Sequence, residues 1–118
     1  MENHFKKIIN TESFDELLVR SRTMPVVLFK HSLTCAASAA AHEEMMRFGG
    51  EVALVEVQRA RDVSREIEER TGIEHESPQV IVLRDGKSVW SASHFDIRGE
   101  RVAEVVRQHN SGVGANLG

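Results

Sequence analysis

Two apolar runs frame one helix-forming stretch, and this constrains the fold more than any other feature of the chain. Val26-Val27-Leu28-Phe29 and Val52-Ala53-Leu54-Val55-Glu56-Val57 are nearly unbroken and of strand length. A strand that is apolar at every position is covered on both faces, as strands of parallel sheets are. Between the runs, Cys35 to Met46 consists mostly of Ala, Glu and Met, which favour a helix. Gly49-Gly50 ends that helix. Strand, helix and strand in this order imply a parallel pair with a right-handed crossover.

The flanking segments extend the pattern. Ser13-Phe14-Asp15-Glu16 reads as a capping box, and Phe14, Leu17 and Leu18 share one helical face, so a helix is expected over 13–21. Pro25 cannot continue it. After the second apolar run, Asp62 is expected to cap a helix through Arg70, with Val63 and Ile67 inward and Gly72 at its C-terminal end. Ser77-Pro78 precedes Val80-Ile81-Val82-Leu83, and Asp85-Gly86 is a strong hairpin signal. Asp96 is expected to cap a last helix carrying Val102, Val105 and Val106 on one face. The predicted strands lie near residues 25–30, 52–57, 79–84 and 87–93. A βαβ unit followed by ββα is the layout of a thioredoxin-like fold. The fold class read from the sequence is therefore α/β, with a four-stranded mixed sheet flanked by helices and an extra N-terminal helix. One domain is expected over residues 1–110, followed by a flexible Gly-rich tail over 111–118.

Composition narrows the function classes. Of 118 residues, 41% are hydrophobic and 28% charged, close to a soluble globular average. No apolar run approaches the roughly 20 residues that span a bilayer. The formal net charge of -3, with 5% aromatics and no tyrosine, speaks against a nucleic-acid partner, which needs a basic field and stacking platforms. Met1 to Lys7 lacks the basic-then-apolar pattern of a signal peptide. Cys35 is the only cysteine, so no internal disulfide supports the fold. A cytoplasmic, reducing location is expected, with no membrane partner and a monomeric chain, although an exposed Cys35 could link two chains on oxidation.

Cys35 falls just after the first strand, in the first turn of the following helix, with Thr34 expected as N-cap. A helix N-terminus presents unpaired N–H groups and roughly half a positive charge, both of which favour a thiolate. Cysteines so placed have pKa values lowered from about 8.5 into the range of roughly 3.5–7.5. The thiolate is the nucleophile of thiol–disulfide exchange. The other reading of a lone cysteine is a small buried hydrophobe. Ser38 occupies the position where a dithiol enzyme has its resolving cysteine, giving Cys-x-x-Ser. A hydroxyl there can donate to a thiolate but cannot resolve a mixed disulfide, so any disulfide on Cys35 must be released by an outside thiol. His31, four residues before Cys35, is either a thiolate-stabilising imidazolium or a solvated loop histidine. Ser77-Pro78 stands where thioredoxin-like folds carry a cis-proline facing the cysteine; the ordinary alternative is a trans proline opening a strand.

Phe29-Lys30-His31-Ser32-x-Thr34-Cys35, His75-Glu76-Ser77-Pro78-Gln79 and Trp90-Ser91-Ala92-Ser93-His94-Phe95-Asp96-Ile97 together resemble the monothiol bacilliredoxin family, over about residues 10 to 109. The resemblance implies reduction of mixed disulfides between protein cysteines and bacillithiol. Cys35 would be the nucleophile, Ser77-Pro78 the cis-proline element, bacillithiol the co-substrate and protein mixed disulfides the partners. It implies no tightly bound cofactor and no metal. Family members usually read Thr-Cys-Pro-Ile-Ser; here Ala36 and Ala37 replace Pro and Ile.

A non-catalytic thioredoxin-fold binding or adaptor module is the alternative that the Cys-Ala-Ala-Ser departure motivates. An iron–sulfur carrier of the monothiol glutaredoxin type is more distant, since a glycine usually follows the cysteine there and Ala36 stands here. Zinc is disfavoured because no two ligands share a structural-site spacing. His94 reads as a polar strand end, and Met45 and Met46 as core. Arg59, Arg61, Arg65 and Arg70 read as a solvated face interleaved with glutamates, or as a source of one guanidinium for the malate carboxylates of bacillithiol.

Overall fold

The computed structural model describes residues 4–110; the tail expected over 111–118 lies outside them. The elements in order are β1 (Phe5–Lys7), α1 (Thr11–Arg20), β2 (Val26–His31), α2 (Ala36–Phe48), β3 (Val52–Glu56), α3 (Arg61–Thr71), β4 (Gln79–Arg84), β5 (Lys87–Ser93), a short 3-10 turn (His94–Asp96) and α4 (Gly99–Asn110). The strands form one mixed sheet in the order β1-β3-β2-β4-β5. β1 and β2 both run parallel to β3, while β4 is antiparallel to β2 and β5 to β4.

The sheet has five strands, not the expected four. The additional strand, β1, is three residues long with a single apolar residue, so it carries no periodicity to read. It is held by pairing on β3 and by Lys6–Glu51 and Lys7–Glu56 ion pairs at 3.2 and 3.7 Å. Lysines on so short an edge also discourage a further strand from adding there.

Successive strand residues point to opposite faces, which explains the unbroken apolar runs. Val26 and Leu28 join Ala53, Val55, Ile81 and Leu83 on the face covered by Phe14, Leu17 and Leu18 of α1 and Val63 and Ile67 of α3. Val27 and Phe29 join Val52, Leu54, Val80 and Val82 on the face covered by Ala41 and Met45 of α2 and Val102 and Val105 of α4. β2 is thus central and doubly covered, and its C-terminal end delivers the chain to the loop before α2.

Helix starts differ from the sequence reading in four places. α1 begins two residues early because Asn10 is its N-cap, Oδ1 accepting from the Ser13 backbone N–H at 2.8 Å. Cys35, not Thr34, is the N-cap residue of α2. Ala60, not Asp62, precedes α3, and Asp62 lies in its first turn. Asp96 belongs to the 3-10 turn, and α4 starts at Gly99. That last start is set by docking on α2: the Gly99 N–H donates to Glu44 Oε1 at 2.8 Å, and a Cβ at Gly99 would stand 2.4 Å from the Glu44 carbonyl oxygen.

Candidate active site

Cys35 sits between the C-terminal end of β2 and the first residue of α2, in extended backbone with φ -107 and ψ 128. It is half-buried. Its carbonyl accepts the N–H groups of Ser38 and Ala39, at 3.1 and 3.2 Å, which opens the helix. No side chain caps α2. The positive end of the helix dipole therefore stands at the thiol without a competing anion from a cap.

The loop before Cys35 is clamped from two sides. Ser38, fully buried one turn into α2, accepts the Ser32 N–H on its Oγ at 3.0 Å. Its partner is thus the loop backbone, so the hydroxyl in the resolving position holds the loop's shape. From the other side, Gln58 Oε1 accepts the Leu33 N–H at 3.1 Å, and Gln58 Nε2 donates to Ser32 Oγ at 2.9 Å and Thr34 Oγ1 at 3.4 Å. Thr34 thus serves as an acceptor in this clamp and is otherwise exposed. Gln58 escaped the sequence reading because it lies 24 residues from Thr34 with no motif around it.

Ser77-Pro78 is a cis peptide bond. Pro78 is buried, and its carbonyl accepts the His94 N–H at 3.0 Å. The Ser77 hydroxyl is buried without a partner among the described residues.

Directly after Pro78, Gln79 faces Lys30 across the β2–β4 pairing, and Lys30 Nζ donates to Gln79 Oε1 at 2.9 Å. Gln79 Nε2 in turn donates to the Glu74 carbonyl at 3.1 Å. Lys30 is completely buried, and burial pushes its pKa down to about 8, with Glu68 and Glu76 opposing. This tie joins the strand that leads to Cys35 to the strand that leaves Pro78. Its signal in the sequence was a lysine at the end of an apolar run and a glutamine straight after a proline.

His31, on the opposite face, packs its ring against Phe29 and His42, with centroids 5.4 and 5.5 Å away. Burial first, and the neighbouring His42 second, lower its pKa, with Glu56 opposing. It is therefore mostly neutral at pH 7. Its Nδ1 is buried without a partner among the described residues. The geometry thus places His31 in a ring cluster on α2, whereas Cys35, Thr34 and Ser38 are brought together in one turn. Among the described residues no group of three or more His, Cys, Asp and Glu side chains could hold a metal ion, and no helix is long and apolar enough to cross a membrane.

The chemistry open to this arrangement is attack by one sulfur, without a second thiol. The family model of the monothiol bacilliredoxin BrxC matches residues 6–102. A solved structure described as a candidate oxidoreductase with a thioredoxin fold is similar at 30% identity and a TM-score of 0.78, covering 85% of this chain and 91% of that one. Thioredoxin of Fasciola hepatica is similar at 14% identity and a TM-score of 0.69, over 88% of this chain and 98% of its own. Thioredoxin F of spinach chloroplast is similar at 16% identity and a TM-score of 0.68, over 94% and 100%. These two thioredoxins bear on the fold alone, which is thioredoxin-like.

Proposed function

The chain belongs to the monothiol bacilliredoxin family, and on that premise we propose that it reduces protein mixed disulfides of bacillithiol through Cys35. The observation that carries this reading is the sole cysteine, half-buried at the N-cap of α2, with Ser38 in the resolving position engaged by the loop backbone.

The steps follow from having one sulfur. The Cys35 thiolate attacks the bacillithiol sulfur of a protein–bacillithiol disulfide. The S–S bond breaks, the protein thiolate leaves and takes a proton from solvent, and Cys35 now carries bacillithiol. A second bacillithiol, as thiolate, attacks the sulfur of the Cys35-bound molecule. Bacillithiol disulfide leaves, and the Cys35 thiolate is regenerated. In sum, the mixed disulfide and one free bacillithiol become the protein thiol and bacillithiol disulfide, with one S–S bond and one thiol on each side, so atoms and electrons balance. The clamp of Ser38 and Gln58 keeps the Cys35 loop in one shape through both attacks, and the cis Ser77-Pro78 element offers backbone groups to the substrate chain.

The test measures release of bacillithiol from a bacillithiolated protein, together with intact mass of the reduced chain after exposure to bacillithiol disulfide or glutathione disulfide. The expected result is rapid capture of one bacillithiol, slower capture of glutathione, and turnover that falls to the uncatalysed rate in Cys35→Ser. Full turnover by Cys35→Ser would overturn the mechanism. Equally slow capture of both thiols would favour the adaptor reading, to which the Ala36-Ala37 departure points.

A further inference from the structure

Beside the Cys35 loop runs a groove of about 400 Å³, whose walls include Gln58, Arg61, Ser64, Arg65, Glu68 and His75. That volume falls within the range of small-molecule sites, about 300–1,000 Å³. Arg61 and Arg65 are one turn apart on α3, on neighbouring positions of one helix face. Neither side chain has a hydrogen bond or ion pair among the described residues. Arg20, Arg47, Arg59, Arg70, Arg84 and Arg101 all have acidic partners. Ser64 lies in the wall between them, 9% exposed, and its hydroxyl is buried with no partner among the described residues. Buried hydroxyls are normally satisfied by the protein or by something bound to it. The carboxylate in the lining, Glu68, is turned to the His75 backbone N–H at 3.3 Å, two turns along α3 from Arg61. Partial burial, with Lys30 next, lowers the pKa of His75, so that ring adds little charge at pH 7.

The groove is joined to the reactive loop by Gln58. The same side chain that lines it holds Leu33, Ser32 and Thr34, the three residues before Cys35. A molecule seated against Arg61 and Arg65 would therefore have its other end at the loop that presents the thiol. We propose that this groove binds the carboxylate-bearing part of the low-molecular-weight thiol, with Arg61 and Arg65 paired to its carboxylates, the Ser64 hydroxyl available to it and its sulfur directed over Gln58 to Cys35. The assignment rests on the oxidoreductase reading above. It explains why two guanidiniums suited to bidentate carboxylate recognition are left unpaired on a helix otherwise rich in glutamate.

The experiment compares rates of Cys35 modification by bacillithiol disulfide, glutathione disulfide and the uncharged hydroxyethyl disulfide, followed by intact mass. Arg61→Gln, Arg65→Gln and the double variant are set against Arg98→Gln, an arginine on α2's side of the sheet whose side chain is also unpaired among the described residues. The rate ratio of carboxylate-bearing to uncharged disulfide should fall by about tenfold or more in the double variant, as expected for loss of a charge-assisted pair, and hold in Arg98→Gln. An unchanged ratio, or an equal fall in Arg98→Gln, overturns the groove assignment. A second arm titrates S-methyl bacillithiol, which cannot exchange, into the Cys35→Ser chain by NMR. Shifts at Arg61, Ser64 and Arg65 that vanish in the double variant support the groove even if the wild type fails to turn over. Shifts confined elsewhere overturn it even if turnover is fast.

Discussion

Replacing Lys30 by Met should change how stability depends on pH. The amine is fully buried and, among the described residues, donates to one acceptor, Gln79 Oε1 at 2.9 Å. Burial holds its pKa at about 8, against 10.5 for a free lysine. Between those two values the unfolded chain holds the proton and the folded chain has released it, so stability rises with pH across this window. Equivalently, stability present above the unfolded value is lost as pH falls through the folded one. One pKa unit corresponds to about 1.4 kcal/mol, and integrating from pH 7 to pH 10 gives about 2–3 kcal/mol. Lys30→Met removes that titration but leaves Gln79 Oε1 without its donor, a pH-independent cost of about 1–3 kcal/mol. At pH 7 relief and cost nearly offset, so the two proteins should lie within about 2 kcal/mol of each other. By pH 10 the wild type should have gained about 2–3 kcal/mol on the variant. Urea unfolding of both at pH 7 and pH 10 reads this difference, since groups that titrate alike in both proteins cancel. A difference constant to within about 0.5 kcal/mol would refute the reasoning and show that water reaches the ammonium.

Two further outcomes follow from buried groups. His31 is held below its ordinary pKa chiefly by burial, then by His42, so the stability it carries is present above about pH 6.5 and lost as pH falls through its folded value. His31→Phe should therefore lose less stability than the wild type between pH 7 and pH 5 in thermal melts; an equal loss would count against the burial. Arg84 is 8% exposed and donates to the carbonyls of His109, Ser21 and Arg22 at 3.1, 3.1 and 2.8 Å. Arg84→Met strands those acceptors and should lower unfolding stability by about 2–4 kcal/mol; a loss below about 1 kcal/mol would show that solvent replaces the guanidinium.

The parts of the fold that rest on local patterns were legible. Val26 to Phe29, Val52 to Val55 and the Asp85-Gly86 hairpin placed four strands, and β4 and β5 fall on the expected residues. Gly72 closes α3 in the left-handed region, at φ 75. What escaped depends on contacts between distant segments. β1 exists because β3 offers it an edge. α4 starts at Gly99 because only a glycine fits against the Glu44 carbonyl. The same division holds in the site. Cys35 and Ser38 were visible by spacing, and Ser77-Pro78 by its place in the order of elements. Gln58 and the Lys30–Gln79 tie come from parts of the chain that only the folded sheet brings together. His31 shows the limit of spacing in the other direction: four residues from Cys35, it is carried by strand alternation onto the α2 face, against His42.

The departure at Ala36-Ala37 falls where this loop can absorb it. Position 36 is the first residue of α2, a place where proline is tolerated because its N–H would have no intrahelical partner. A proline there fixes φ and removes freedom from the unfolded chain, worth about 0.4–1 kcal/mol. Here the loop's shape is held by side chains, with Ser38 on Ser32 from within α2 and Gln58 on Ser32, Leu33 and Thr34 from beyond β3. Alanine supplies what proline cannot, a backbone N–H in the turn that Cys35 caps. Unpaired donors at a helix N-terminus favour negative charge, and in the proposed mechanism the second exchange step returns that charge to the Cys35 sulfur. The Ala-Ala pair thus has one more backbone donor at the turn that Cys35 caps and lacks a preset φ there, so the loop's shape rests on side chains, Gln58 among them. That makes Gln58 the residue through which loop geometry and occupancy of the Arg61–Arg65 groove are coupled.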